Sequence, residues 1–239
     1  MTAIPTRKEE AWRYSDIDAV TALWPVPAAA VIDVAAGDTL TRHLIADAEI
    51  HDFAITLHAG ARMDFHVLNI APKYGRVAID VTLHDGAHFE FGAVQIGGGA
   101  TNLEIITTVR HIEPNAISCQ TVRSGLGGTA TGTYLGKVAV ARDAQKTDSV
   151  QSVKAMLLTR TATANAKPEL EIYADDVKCA HGCAIGELDQ QAMFYLASRG
   201  IAPMEAQTLL LQAFVAEVFE GADDPALEAA ALTALENLK

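Results

Sequence analysis

Basic charge, cysteine and long apolar runs are all scarce in this sequence of 239 residues. Eighteen lysine and arginine residues stand against 30 aspartate and glutamate residues, so nucleic acid and anionic membrane are poor candidate partners. No apolar run is long enough to span a bilayer, and the polar start MTAIPTRKEEAWRY lacks the apolar core of a secretory signal. Three cysteines without a signal predict reduced thiols in the cytoplasm rather than a disulfide framework.

Apolar residues, by contrast, make up half of the chain, and charged residues make up a fifth. This balance predicts a sizeable packed core and argues against global disorder. Hydrophobic periodicity divides the chain into three parts. We expect an N-terminal helical segment and linker over 1–30, a β-rich core over 31–186 and a C-terminal helical domain over 187–239.

The β-rich part contains a repeat. TLHAGARMDF begins at Thr56, TLHDGAHFEF begins at Thr82, and a fainter echo, TVRHIEPNA, begins at Thr108. A fixed offset of 26 residues without a helical period favours a parallel β-helix of stacked coils over a β-sandwich, its main rival. The predicted fold is therefore mainly β. Turns are expected at the recurring glycines Gly37, Gly60, Gly86, Gly97 to Gly99, Gly125 and Gly136.

Two glycine-rich stretches imitate nucleotide-binding loops. GGTATGT at 127–133 has the glycine spacing of a P-loop, but Thr133 occupies the lysine position. GLGGTA at 125–130 is followed by strand rather than by the helix that binds a pyrophosphate. Both stretches are predicted to be solenoid turns.

Other polar side chains have competing interpretations. His58 and His84 occupy equivalent repeat positions, so they can stack on adjacent coils, where binding a metal is less expected than capping a turn. Asp175 and Asp176 fit acid–base chemistry, but such a pair more often marks a solvated turn. His88 and His111 have no distinctive context, and neither G-x-S-x-G nor H-E-x-x-H occurs.

The stretch KCAHGC at 178–183 concentrates candidate metal ligands. In an extended strand, Cys179, His181 and Cys183 share one face, with the outer two about 13 Å apart. That span is too long for one zinc ion, and neighbours two apart share a metal only if the strand bends, for example at Gly182. Only Cys119 remains as a further cysteine, so a self-contained zinc site is weak. An incomplete set finished by a partner chain fits better, while spacing alone slightly favours structural packing.

The segment PELEIYADDVKCAHGCAIGELDQQAMFYLASRG and its continuation, together with PTRKEEAWRY near the start and GKVAVARDAQKTDSVQSVKAMLLT in the middle, resemble the SufB/SufD family of iron–sulfur cluster assembly proteins. The His181–Gly182 pair resembles the SufD branch, because the SufB branch tends to carry glutamate after this histidine. Two departures are that Cys183 stands where the family more often has alanine, and that the segment before the β-helix is short.

This resemblance implies a right-handed parallel β-helix flanked by helical ends, in a complex with SufB and the ATPase SufC. SufB pairs with the β-helix end, and a nascent cluster forms at that interface. His181 maps onto the family's candidate ligand, with Cys179 beside it and Cys183 as a less secure third. A purely structural brace is the alternative.

The resemblance further implies a scaffold without enzymatic activity, which holds iron or a cluster transiently and has no tightly bound cofactor. A homodimer is possible when the chain is alone. The C-terminal helices are expected to dock on SufC. The residues expected at that contact are Phe194, Tyr195, Arg199, Glu205, Leu209 and Phe214.

Overall fold

Parallel strands dominate the computed structural model, which describes residues 4–47, 49–220 and 222–238. Within those residues two six-stranded sheets occur, and successive strands alternate between them. The strands are β1 Ala30–Val34, β2 Thr39–Ala46, β3 Glu49–Leu57, β4 Arg62–Asn69, β5 Tyr74–Leu83, β6 His88–Gly97, β7 Asn102–His111, β8 Ile117–Leu126, β9 Thr131–Val140, β10 Asp148–Leu157, β11 Thr163–Ile172 and β12 Lys178–Glu187. Odd-numbered strands form sheet A and even-numbered strands form sheet B, each in sequence order.

Strand alternation explains why these coils stack. Every second side chain points into the lumen between the two sheets, as Phe89, Phe91 and Ala93 do from β6. One coil cannot enclose this apolar face alone, so each coil is covered by the next in parallel register. The predicted parallel β-helix is confirmed, and the β-sandwich is not formed.

The predicted repeat holds for one step and then lengthens. Thr56 pairs with Thr82 as the 26-residue offset requires, but Thr82 pairs with Arg110, so the echo at Thr108 is wrong by two residues. The two extra residues lie between Gln95, the register partner of Asn69, and Asn102, the register partner of Tyr74, at the end of β6 and in the turn before β7. The next turn adds one more residue, since His88 pairs with Ile117, and there Asn115, with φ 62°, takes the left-handed position that glycine occupies in the earlier coils.

Not every predicted turn glycine lies in a turn. Gly97 ends β6, while Gly125 and Gly136 lie within β8 and β9. Gly136 leaves room for the Tyr134 ring, because a Cβ atom there would lie 2.1 Å from the Tyr134 hydroxyl oxygen. The stretch from 127 to 130 does form a turn and is followed by β9, as predicted.

The helices occur at the two ends of the chain. A single 3-10 turn, Glu10–Trp12, and helix α1, Ile17–Ala22, precede the solenoid. Helices α2 Gln190–Ser198, α3 Pro203–Phe219 and α4 Pro225–Glu236 follow it. Residues 1–3 of the predicted N-terminal segment and residues 221 and 239 of the predicted helical domain lie outside the described residues. Within those described, no helix is long and apolar enough to cross a bilayer.

Local sequence signals explain the limits of α2 and α3. The Asp189 side chain accepts hydrogen bonds from two backbone N–H groups at the start of α2. Gly200, with φ 83°, follows the end of α2, and Ile201 donates its N–H to the carbonyl of Leu196. Pro203 is the first residue of α3, where its missing N–H costs nothing.

Helices α3 and α4 cover the outer face of sheet B. Leu68, Val94 and Ile96 project outward from the sheet and form a second apolar core with these helices. The Arg123 guanidinium is fully buried beneath α3 and donates from Nη2 to Glu217 Oε2 at 2.9 Å. Gly92 allows close packing, because a Cβ atom there would lie 2.8 Å from the Val218 carbonyl. This core attaches the C-terminal helices to the solenoid.

The N-terminal segment covers the outer face of sheet A. Arg76 forms a buried ion pair with Glu104, at 2.6 Å between Nη1 and Oε2, and its guanidinium stacks 3.8 Å from the Trp12 ring centroid. Ser15 donates its hydroxyl to the same Glu104 oxygen. Burial raises the pKa of the Glu104 carboxyl, and Arg76 opposes that rise. The charged pair and the Trp12 ring therefore tie residues 12–15 to the sheet.

Candidate functional site

The stretch KCAHGC lies in β12, the last strand of sheet B. Cys179, His181 and Cys183 stand in register with Ser149, Gln151 and Val153 of β10. Those β10 residues are buried and face the lumen. Because register-paired residues of parallel strands share a face, the three candidate ligands also point toward the lumen side.

The last coil forms an open end of the solenoid. We use "open end" for β11 and β12, each of which pairs with a neighbour on one side only in the described part of the chain. His181 and Cys183 are consequently exposed, and Cys179 is half-buried. Inward-facing side chains that earlier coils enclose are here accessible from outside.

The geometry of β12 does not bring its three candidate ligands onto one ion. The strand keeps regular register through Gly182, so the bend that two neighbouring ligands need is not present. At about 3.3 Å per residue, successive ligands are roughly 7 Å apart along the strand. The described residues contain no group of three or more His, Cys, Asp or Glu residues that could hold a metal. The described part of one chain therefore does not by itself form a closed metal site.

Cys119 does not complete this set. Its register partners are Glu90 and Val150, and Val150 in turn pairs with Ala180, so Cys119 lies on the outer face of sheet B. All three cysteines are free thiols. Burial raises the pKa of Cys119 to about 11, and burial together with Asp148 raises the pKa of Cys179. A metal would therefore have to displace a proton from Cys179 to bind it as thiolate.

The other histidine and aspartate candidates form surface pairs. His58 and His84 stack with ring centroids 5.3 Å apart, and each also contacts a carboxylate, Asp33 at 2.8 Å and Glu113 at 3.1 Å respectively. This arrangement favours the turn-capping interpretation over metal binding. Asp176 pairs with Lys146 and lies in an exposed bend, which fits a solvated turn.

A polar network inside the lumen was not anticipated from the sequence. Thr107 donates its hydroxyl to Gln120 Oε1 at 2.7 Å, and Tyr134 donates to the same oxygen at 3.2 Å. Gln151 Nε2 donates to the Tyr134 hydroxyl at 3.1 Å. The network lies directly beneath the open end, since Gln120, Gln151 and His181 are successive register partners.

A second polar group lies beside this network. His111 Nε2 bonds the Ser118 hydroxyl at 2.9 Å, and Ser118 bonds Ser149 at 2.8 Å. Burial lowers the pKa of His111 to about 4. A sequence signal for these residues existed, because SCQTVR begins at Ser118 and SVQSVK begins at Ser149, in register. Cys179 and His181 occupy the corresponding positions of the next coil.

The predicted partner-binding residues lie on α2 and α3. Arg199 and Glu205 are exposed, and the Arg199 guanidinium lies 5.2 Å from the Tyr195 ring centroid. Phe214 is half-buried, because it packs into the core beneath α3 near Arg123. The large apolar side chains exposed on α2 and α3 are Phe194, Tyr195, Met204 and Leu209.

Comparison with known protein sequences places this chain in a family. The profile described as SUF system FeS cluster assembly, SufBD core domain, matches residues 39–214. The iron–sulfur cluster assembly protein SufD of Escherichia coli is 43% identical over 95 residues, covering 40% of this chain and 22% of that protein. An iron–sulfur cluster assembly SufBD family protein of Synechocystis is 33% identical over 154 residues, covering 64% of this chain and 34% of that protein.

A plant relative is also similar. Protein ABCI7, chloroplastic, of Arabidopsis thaliana is 46% identical over 85 residues, covering 36% of this chain and 18% of that protein. The matched segments thus span between 18% and 34% of these three relatives. The family match covers most of this chain, from β2 into α3, and includes the open end. The chain therefore belongs to the SufBD core family of the SUF iron–sulfur cluster assembly system.

Proposed function

We propose that this chain is a non-enzymatic scaffold subunit that provides part of the site where an iron–sulfur cluster is built. His181 is the principal donor to iron or cluster, with Cys179 and Cys183 as possible thiolate donors. The observation that carries this proposal is the open end, where inward-facing imidazole and thiol groups are accessible. Imidazole and thiolate both suit iron, and the cluster is cargo rather than a tightly bound cofactor.

A SufB-type protein is the partner that we propose for the open end. Strands β11 and β12 offer unpaired backbone groups along one edge, which another strand can join. Ile172, Tyr173 and Ile185 expose apolar surface there. A partner at this edge would add the donors that one chain lacks. A second copy of this chain is the occupant that we expect when SufB is absent.

We propose that the C-terminal helices dock the SufC ATPase. Phe194, Tyr195 and Leu209 expose apolar surface, and an apolar groove of about 620 Å³ runs between α3 and α4. The sequence lacks a P-loop lysine, so ATP hydrolysis would come from SufC and would shift these helices relative to the cluster site. The free thiols fit a reducing compartment such as the cytoplasm.

The test is co-expression of this chain with SufB and SufC, followed by anaerobic reconstitution with iron and sulfide. We expect His181→Ala to leave the complex assembled and to abolish most of the cluster absorbance. His84→Ala is the matched control, because His84 is a histidine on a surface turn of the same solenoid. Equal absorbance in both variants would falsify the ligand role.

A purely structural role is the second candidate. The observation that favours it is the spacing along β12, which keeps the three donors from sharing one ion. In that case the chain braces SufB and recruits SufC without touching iron. Substitutions at 179, 181 and 183 would then be silent in the reconstitution, while Phe194→Ala with Leu209→Ala would release SufC.

A further inference from the structure

The inward column beneath His181 changes character along the solenoid axis. Phe65, Phe91, Gln120, Gln151 and His181 are successive register partners in sheet B. Gln151 and Gln120 are 1% and 0% exposed, so two amide side chains are buried where aromatic rings fill the earlier coils. Buried amides are expensive unless their polar atoms are hydrogen-bonded, so their partners identify what the column is built to hold.

The hydrogen bonds around Tyr134 indicate the orientation of the Gln151 amide. Gln120 Oε1 already accepts from both Thr107 and Tyr134, so the Tyr134 proton is used on Gln120. The Tyr134 oxygen then accepts from Gln151 Nε2. With the Gln120 oxygen facing Tyr134, the reverse orientation of Gln151 would place two amide oxygens on the one Tyr134 proton. Gln151 Oε1 is therefore left as a buried acceptor without a partner among the described residues.

Gln151 has two register neighbours that carry donors: Gln120, whose Nε2 also has no partner among the described residues, and His181, which lies on the side of the open end. His181 stands next to Gln151 in register and on the same face, at the usual strand spacing of about 4.8 Å. A histidine that binds metal through one ring nitrogen commonly donates its other ring N–H to a carbonyl or carboxylate. That hydrogen bond decides which nitrogen keeps the lone pair for the metal.

We propose that Gln151 is a positioning residue, whose Oε1 accepts the N–H of one His181 ring nitrogen and directs the other nitrogen out of the open end. The hydrogen bonds that link Thr107, Gln120, Tyr134 and Gln151 hold this acceptor oxygen in place. The inference rests on the proposed function only in treating the outward nitrogen as the iron donor. The Gln151–His181 hydrogen bond itself is a property of this chain alone.

The first experiment measures the tautomer of His181 in the full-length chain without metal. At about pH 8 a histidine is ordinarily neutral, and long-range ¹⁵N–¹H couplings distinguish its two tautomers. We expect one tautomer in the unsubstituted chain and in Gln151→Glu, which keeps an acceptor oxygen. Gln151→Leu is expected to give a mixture. If Gln151→Leu does not fold, Gln151→Met removes the acceptor with a similar shape.

Ser149→Ala is the control for the tautomer measurement. Ser149 lies two residues before Gln151 on β10, and its hydroxyl bonds Ser118 rather than Gln151. Ser149→Ala should therefore leave the His181 tautomer unchanged. One unchanged tautomer in Gln151→Leu and Gln151→Met would overturn the positioning role. A mixture already present in the unsubstituted chain would also overturn it.

The second experiment measures Fe²⁺ affinity in the complex that co-purifies with SufB. Losing a partner that orients a ligand typically weakens metal binding about tenfold to a hundredfold, so Gln151→Leu should show that loss and Gln151→Glu should not. If His181→Ala leaves iron binding and cluster formation intact, the proposed function fails, while the tautomer result still decides the role of Gln151. The two failures are therefore separable.

Discussion

The two halves of the solenoid lumen differ in what fills them. In the first coils, Phe53, Phe65 and Phe91 pack edge to face, with centroids 5.3 and 6.1 Å apart, and Met63 and Phe89 are fully buried beside them. From β7 onward the lumen contains hydroxyl, amide and imidazole groups bonded to one another. The polar inward residues are Thr107, His111, Ser118, Gln120, Tyr134, Ser149 and Gln151.

Under the proposed function, this difference separates stability from function along one axis. Aromatic packing needs complete enclosure, which the inner coils provide. The coil at the open end cannot enclose its lumen, so apolar side chains there would be left exposed. A hydrogen-bonded network tolerates that boundary and leads to His181. The polar half thus supports an accessible site, and the apolar half holds the solenoid together.

Phe91→Ala should have the largest effect on stability. Phe91 is fully buried and touches the rings of Phe65 on β4 and of Phe89 on its own strand, so truncation leaves a cavity in the apolar half. We expect the free energy of unfolding to fall by about 3–5 kcal/mol, measured by urea denaturation. A loss below about 1 kcal/mol would mean that the column repacks, and the contrast between the two halves would not hold.

Acid should act on the polar half through His111. The pKa of His111 is lowered to about 4 by burial, while an unfolded histidine titrates near 6.5. Between these values the unfolded chain binds a proton that the native state excludes, so lowering the pH destabilises the fold. This histidine should contribute a loss of roughly 3 kcal/mol across that window.

The check on this pH dependence is a comparison of variants. Free energies of unfolding should be measured by urea denaturation at several pH values between about 4 and 6.5. The decrease should be smaller in His111→Asn than in the unsubstituted chain. Identical pH profiles for His111→Asn and the unsubstituted chain would show that His111 is not the group responsible.

The fold was largely predictable because coil stacking depends on alternation and turns, which are local. The step from Thr56 to Thr82 defined the architecture correctly. The later coils were not predictable by a fixed period, since the left-handed turn positions pass from glycine to Asn115 and Lys146 while the strand register shifts. A polar residue in that conformation resembles any other loop residue in a single sequence.

The candidate site was predictable only in part. Strand alternation places Cys179, His181 and Cys183 on one side, and the structure agrees. The alternation cannot reveal that this side faces the lumen, nor that the last coil is uncovered, because both depend on stacking. The buried amides were missed because a glutamine in a strand usually faces solvent. Their repeated S-x-Q spacing becomes informative only once Ser118 and Ser149 are known to be register partners.

The smallest effect on stability is expected at the open end itself. His181 and Cys183 are exposed, and neither is hydrogen-bonded to another side chain in the described structure beyond the regular pairing of β12. Replacing Cys183 by alanine should change the free energy of unfolding by less than about 0.5 kcal/mol, and His181→Ala should cost no more than the one hydrogen bond proposed with Gln151, about 1 kcal/mol. Urea denaturation of His181→Ala and Phe91→Ala under the same conditions compares the stability effect at the open end with that in the apolar half. If His181→Ala instead lost more than about 2 kcal/mol, the histidine would be part of the packing, and its effect on cluster formation would reflect a damaged coil rather than a missing donor.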